Sequence, residues 1–322
     1  MPDLLEQLQS LRATERRVAM ATLVGARGGS PRPLGAKLFV GEGEGGRLVG
    51  SVSIGGCVDA RVVEHGERLL REDRAERVTV VVDDTEALEL GLACGAEFDM
   101  LIEPVRLDVA DAAISAYERA ILAARGGRTA FVVTRLEGSR VLRDVRDEPQ
   151  GAPDDSAFVE RFAPPETLVL VGASDVGAAL ARLARTLGFR VVVVDGRDRY
   201  ATRERFASAD EIRVGMPSDV VRPFLTDGAY LVLASHEYKY ELPILRDALR
   251  RPLRFVGMLA GRKRAASVRG LLSEDGLSDD EIARLHAPIG LDIGGREPEE
   301  IALSIAAQLI AVREGKPIAR RA

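Results

Sequence analysis

Tryptophan is absent from this 322-residue chain, and aromatic residues make up only 4% of it. A platform that stacks the bases of single-stranded nucleic acid needs more rings than that. Cysteine is nearly absent as well: Cys57 and Cys94 are the only two, 37 residues apart. That count and spacing exclude a disulfide framework, a C-x-x-C zinc site and a thioredoxin-type motif. No apolar run approaches the roughly 18 residues of a membrane span. Met1-Pro2-Asp3-Leu4 carries neither the basic nor the apolar region of a signal peptide. The expectation is a cytoplasmic, reduced protein with no membrane partner. Lysine is scarce beside arginine, with only Lys37, Lys239, Lys263 and Lys316, which reads as genomic base composition. The net charge of −5 leaves no overall basic character to attract nucleic acid.

What remains is a soluble globular composition, 46% hydrophobic and 30% charged, in a chain long enough for two domains. Leu4, Leu5, Leu8 and Leu11 recur at helical spacing. The apolar run Val18 to Val24, Lys37 to Val40, Leu48 to Val52, Val78 to Val82 and Met100 to Glu103 read as strands. Helices are expected over Val58 to Arg71 and Ala110 to Ala124, and a hairpin across Glu137-Gly138. Residues 146–166, rich in Pro, Asp and Glu, read as a linker between a first domain (1–145) and a second (167–322). Beyond it, strands at Thr167 to Val171, Val191 to Val194, Tyr230 to Ala234 and Phe255 to Gly257 alternate with helical patterns. The fold class is therefore α/β: an N-terminal α/β domain, then a Rossmann-like doubly wound parallel sheet.

The stretches that carry chemistry are loops. Gly172-Ala173-Ser174-Asp175-Val176-Gly177 lies between a strand and a helix, the context of a dinucleotide fingerprint. Its middle glycine is replaced by Ser174, and Asp175 puts a negative charge at the helix start, so phosphate binding there is weakened. Asp195, 23 residues after Gly172, stands where a ribose-binding acid belongs. The Arg27 to Lys37 loop combines stiffening prolines with cationic side chains, which suits a phosphate or a plain strand connector with solvated arginines. Ser53-Ile54-Gly55-Gly56-Cys57-Val58-Asp59 brings a thiol to a helix start, where the thiolate is favoured for metal or sulfur. The bland reading is a small buried hydrophobe. Asp59 on that first turn caps the helix or holds a ligand. Of the three histidines, His65 reads as structural, while His236 and His286 sit at loop mouths and read as ligand contacts.

Taken together the residues resemble the xanthine dehydrogenase accessory proteins of the XdhC/CoxI type over nearly the whole chain. The matching stretches include Gly29-Ser30-Pro31 with Gly35-Ala36-Lys37, Gly55-Gly56-Cys57-Val58, Cys94-Gly95, Glu103-Pro104, Gly172 to Leu180, Asp195 with Arg197, Gly257-Met258 and Arg284 to Arg313. The resemblance implies a molybdenum cofactor (molybdopterin) chaperone. Such a protein protects its cargo during sulfuration by a cysteine desulfurase and delivers it to an apo molybdenum hydroxylase, with no turnover of its own. On that reading Ser30, Arg32 and Lys37 hold the terminal phosphate, and Gly55, Gly56 and Asp59 frame Cys57, which contacts the metal or relays sulfur. Cys94 lies nearby. Gly172, Gly177, Asp195, His236, His286 and Asp292 complete the cofactor-binding set from the Rossmann half, and a homodimer is expected. Where family members commonly read Gly-His, this chain reads Ser174-Asp175, and Asp59 replaces a usual glutamate. The rival expectation is an NAD(P)-dependent oxidoreductase using a dinucleotide in the second half, which Ser174 and Asp175 disfavour.

Overall fold

The computed structural model describes residues 4–27, 32–43, 46–53, 57–82, 96–148, 157–235 and 237–317. They form two compact units, Met1–Pro164 and Pro165–Ala322.

The first unit is built on an antiparallel five-stranded sheet. Its strands are β1 (Arg17–Arg27), β2 (Lys37–Gly41), β3 (Leu48–Gly50), β4 (Glu76–Val82) and β5 (Ala96–Arg106), in the order β3-β2-β1-β5-β4. The run at Val18 to Leu23 is continuously apolar or small because β1 is covered on both faces. Ala19, Ala21 and Leu23 pack under α2 (Cys57–Glu72) with Val62 and Leu69. Val18 and Met20 face α1 (Leu4–Arg12) and α3 (Ala112–Arg125), with Leu8, Leu11, Ile114 and Tyr117. Asp111 caps α3 by accepting from Ala113 and Ile114 N–H. A second sheet, β7-β6-β8, contains the expected hairpin of β6 (Ala130–Glu137) and β7 (Arg140–Arg146), closed by Glu137 opposite Arg140.

Its third strand, β8 (Ala157–Phe162), corrects the expected linker: six of the residues in 146–166 that composition marks as connector pair with β6, from Ala157↔Arg135 to Phe162↔Ala130. The first unit therefore runs to Pro164 and not to 145. The Glu160 side chain of β8 is 9% exposed and paired with Lys37 inside the unit.

The second unit is a wholly parallel sheet in the order β11-β10-β9-β12-β13-β14. The strands are β9 (Thr167–Val171), β10 (Arg190–Asp195), β11 (Glu211–Val214), β12 (Tyr230–Leu233), β13 (Phe255–Met258) and β14 (Leu285–His286). Numbered along the chain this is 3-2-1-4-5-6, with the direction of winding reversing between β9 and β12. One face is covered by α4 (Asp175–Thr186) and α9 (Pro298–Arg313) through Leu180, Ala184, Ile305 and Leu309. The other is covered by α6 (Tyr238–Ala248) and α7 (Arg262–Glu274) through Ile244, Leu245, Val268 and Leu272. The short α5 (Pro217–Val220) and α8 (Asp279–Ala283) fill the connections.

Candidate functional site

In the first unit the strand registers bring several chain segments to one end of the five-stranded sheet. Thr22 pairs with Lys37, Leu38 with Gly50, Arg27 with Glu97 and Val82 with Ala96. The ends of β1, β3 and β4 and the starts of β2 and β5 thus share that end. The chain leaves β3 at Gly50, whose φ of +88° and close approach to the Lys37 carbonyl leave no room for a Cβ. It then enters α2, whose first residue is Cys57.

Asp59, in the first turn of α2, sets that entry. Its Oδ2 accepts from the Ser51 hydroxyl at 2.7 Å, and its Oδ1 from the Ser53 hydroxyl at 2.9 Å and the Val52 N–H at 3.2 Å. Ser51 Oγ also lies 2.6 Å from the Ser53 carbonyl, and that carbonyl and Asp59 share its one hydrogen. Arg32, half-buried, reaches the same carbonyl through Nε at 3.4 Å, tying the first loop to the second. Asp59 thus holds the loop against the helix. Ser30, Gly55, Gly56 and Cys94, like the Cys57 side chain, lie outside the described residues.

Lys37 follows the first loop at the start of β2. Expected on a phosphate, its side chain is 5% exposed, and Nζ donates to Glu160 Oε1 at 2.6 Å and the Gly35 carbonyl at 3.1 Å. It stands 4.4 Å from the centroid of the Tyr117 ring. The Tyr117 hydroxyl donates to the other Glu160 oxygen at 2.6 Å, and Arg143 clasps Glu103 through both terminal nitrogens nearby. Burial pushes the Lys37 ammonium below its ordinary value, with Glu160 opposing, and pushes the Tyr117 phenol well up. This network supports the first loop from below, because Gly35 belongs to the Pro33–Ala36 turn (Ala36 N–H to Pro33 carbonyl, 3.1 Å). A cleft of about 290 Å³ lies between that turn and residues 158–162 of β8. Glu103 belongs to the Glu103-Pro104 motif; Tyr117, Arg143 and Glu160 carry no local signal that sequence reasoning could use.

In the second unit Gly172 ends β9 with φ +108°, and a Cβ there would lie 2.5 Å from the Ser235 nitrogen. Ser174 supplies the N-cap of α4, its Oγ accepting from Gly177 N–H at 3.1 Å. The serine in the fingerprint is therefore a helix cap. Asp175, exposed in the first turn, pairs with Arg205 at 2.7 Å.

Asp195 is in the expected place but otherwise engaged. Its Oδ1 accepts from Arg197 N–H at 2.8 Å and Nε at 2.9 Å, and its Oδ2 from Arg197 Nη2 at 2.9 Å and Ala173 N–H at 2.5 Å. Burial alone would push this carboxyl up; the bonds from Arg197 and Ala173 outweigh it and hold it below the usual carboxylate range. The nearby cleft, about 290 Å³, is lined by Ala173, Ser174, Asp175, Arg197, Tyr200, Arg205, Ala234, Ser235 and Glu237. Buried Glu241 accepts from the Ser235 hydroxyl at 2.9 Å and pairs with Arg264, fixing the rim.

His286 and Asp292 are not among the residues lining this cleft. His286 stacks on Phe255 at 4.6 Å and meets Gln308 Nε2 at 3.2 Å, while the Gln308 carbonyl accepts from Gly290 N–H at 2.6 Å. These contacts set His286 against Phe255 and Gln308. Asp292 is exposed beyond β14, and His236 lies outside the described residues. Among the described residues no three of His, Cys, Asp and Glu gather as a metal site, and no helix is long and apolar enough to cross a membrane.

These features define a protein of two α/β units, the second a Rossmann unit whose strand-end carboxylate, Asp195, is held by Arg197 and the Ala173 N–H. Residues 11–82 match the XdhC and CoxI family and residues 168–309 the XdhC Rossmann domain, and the chain belongs to this family. It is 26% identical to a Bacillus subtilis protein described as a probable subunit of xanthine dehydrogenase, covering 95% of this chain and 96% of that one. It is likewise 26% identical to an Escherichia coli protein, the molybdenum cofactor insertion chaperone PaoD, over 91% of this chain and 83% of the other. The fold superposes on the crystal structure of a Bacillus halodurans protein described as a xanthine dehydrogenase, with a TM-score of 0.79 and 27% identity. That match covers 97% of this chain and 96% of the other.

Proposed function

We propose that this protein is an accessory factor that takes the molybdenum cofactor as cargo, protects it during sulfuration by a cysteine desulfurase, and inserts it into an apo molybdenum hydroxylase. Family membership and the similarity to a protein named as such a chaperone support the reading. The observation that carries it is the Asp59 clamp. It presents the start of α2, and with it Cys57, at the sheet end from which the Cys94-bearing segment also departs.

The donor set suits a phosphorylated, sulfur-coordinated metal group in kind. Cys57 at a helix N-terminus supplies a soft thiolate for molybdenum. Arg32 and Ser30 hold the terminal phosphate, and Gly55 and Gly56 let the backbone approach closely. Lys37 acts beneath them by holding Gly35. All of these are binding roles, and none is a turnover step. The protein acts in the cytoplasm as a homodimer. A dinucleotide oxidoreductase is the weaker reading, because Asp195 offers no open carboxylate to an unmodified ribose.

The test is anaerobic purification from a host that makes molybdenum cofactor, followed by oxidative release of the pterin, its fluorescence, and molybdenum analysis. The native chain is expected to carry pterin and molybdenum in equal amounts. Cys57→Ala should lose most of both with an unchanged circular dichroism spectrum. A native protein free of pterin and metal from that host overturns the proposal.

A further inference from the structure

We propose that the cleft at the β9/β12 reversal of the second unit binds a nucleoside carrying a phosphate monoester on its ribose 2′-hydroxyl. The phosphate sits on Arg197 and the base against Tyr200. This goes beyond the cargo reading and does not depend on it.

The location is where ligands of doubly wound sheets gather, beyond the carboxyl ends of the strands at the point where their order reverses. The volume, about 290 Å³, is at the lower end for ligand sites, which run from about 300 Å³ upward, so it suits one nucleotide and not two. Three further observations set the ligand class.

First, the acid that would accept from a free ribose hydroxyl is saturated: Asp195 already accepts four bonds. Second, those bonds orient Arg197. Nε and Nη2 are held, Nη1 is uncommitted among the described residues, and the side chain is 46% exposed. An arginine standing beside the ribose position is what accommodates a 2′-phosphate in this fold. Third, the helix N-terminus on the opposite side of the cleft is already engaged by the chain's own side chains. Asp175 lies in the first turn of α4, and Ser174 Oγ already takes the Gly177 N–H. A pyrophosphate on the glycine loop is disfavoured, so the anion belongs at Arg197. Tyr200, 47% exposed, offers its ring, with the Arg197 and Arg205 guanidinium carbons 4.2 and 5.6 Å from its centroid. Asp175 and Glu237 are each neutralised, by Arg205 at 2.7 Å and Lys239 at 2.9 Å.

The experiment is titration calorimetry of the full chain with 2′-AMP, 5′-AMP, adenosine, NADPH and NADH. We expect 2′-AMP to bind at least about tenfold tighter than 5′-AMP or adenosine, and NADPH tighter than NADH by a similar factor. Arg197→Gln should abolish that preference and, by releasing Asp195, leave adenosine binding unchanged or improved; a folding defect would weaken every ligand. Tyr200→Ala should weaken all five ligands alike. Equal binding of 2′-AMP, 5′-AMP and adenosine overturns the proposal. So does the absence of 2′-AMP binding at millimolar concentration, or an Arg197→Gln protein that keeps its preference.

Discussion

Replacing Lys37 with methionine removes one charge from a pair whose side chains are 5% and 9% exposed and 2.6 Å apart. Glu160 is then left buried with the Tyr117 hydroxyl as its remaining donor, and the Gly35 carbonyl loses its bond from Nζ. Breaking a buried pair from one side costs about 3–5 kcal/mol, because the surviving charge has no compensation. In a unit of this size, each kcal/mol lowers the melting temperature by about 2–4 °C, so the expected shift is roughly 10 °C. The double change Lys37→Met with Glu160→Leu removes both charges. It should cost only about 1–3 kcal/mol, mainly for the unsatisfied Tyr117 hydroxyl and Gly35 carbonyl. The two single costs should therefore exceed the double cost by at least about 3 kcal/mol. Differential scanning calorimetry reads this directly, since the transition of the second unit should stay in place while that of the first moves. A shift below about 2 °C, or a coupling below about 1 kcal/mol, would refute the reading of this network as an energetically coupled interior support.

Asp59→Ala should cost about 2 kcal/mol in chemical denaturation, since three donors lose their shared acceptor, and should lower pterin retention as Cys57→Ala does. Gly172→Ala should destabilise the second unit by about 2–4 kcal/mol, because φ is +108° and the new Cβ would meet the Ser235 nitrogen; a neutral substitution in thermal melts would contradict the backbone geometry. The Asp195 carboxyl is held below its usual range, so its stabilising contribution is present above the ordinary aspartate value of about 3.9 and is lost as pH falls through the lower folded value. Melting curves of the native chain and Arg197→Gln should therefore differ most near pH 7 and draw together as pH falls through and below the ordinary aspartate range; a constant gap would show that Asp195 is not the linked group.

The Rossmann half is legible because strands buried on both faces write uninterrupted apolar runs, as at Leu168 to Val171 and Val191 to Val194. The short β11 and β14, of four and two residues, are edge strands with too few positions to show a period. β8 escapes a sequence reading for a different reason: its central charge is paired with a residue 123 positions earlier. The same distinction runs through the site. Local signals place Gly172, Asp195 and the start of α2 correctly. What each group bonds to depends on how the chain turns back, as Arg197 does onto Asp195, and spacing does not report that.

The scarcity of lysine sharpens the point. In a chain where only four of forty-five cationic residues are lysines, the one that is buried is Lys37. A compact ammonium with three donors fits a pocket bounded by one carboxylate oxygen, one carbonyl and the face of a ring, whereas a planar guanidinium needs a fork-shaped partner. That fork-shaped partner occurs a short distance away, where Glu103 receives Arg143 through two nitrogens. Composition alone suggests that lysine and arginine are interchanged by base usage. The interior shows two cations with different geometries, each matched to its acceptors, with the lysine placed where it holds the turn that leads into the first loop.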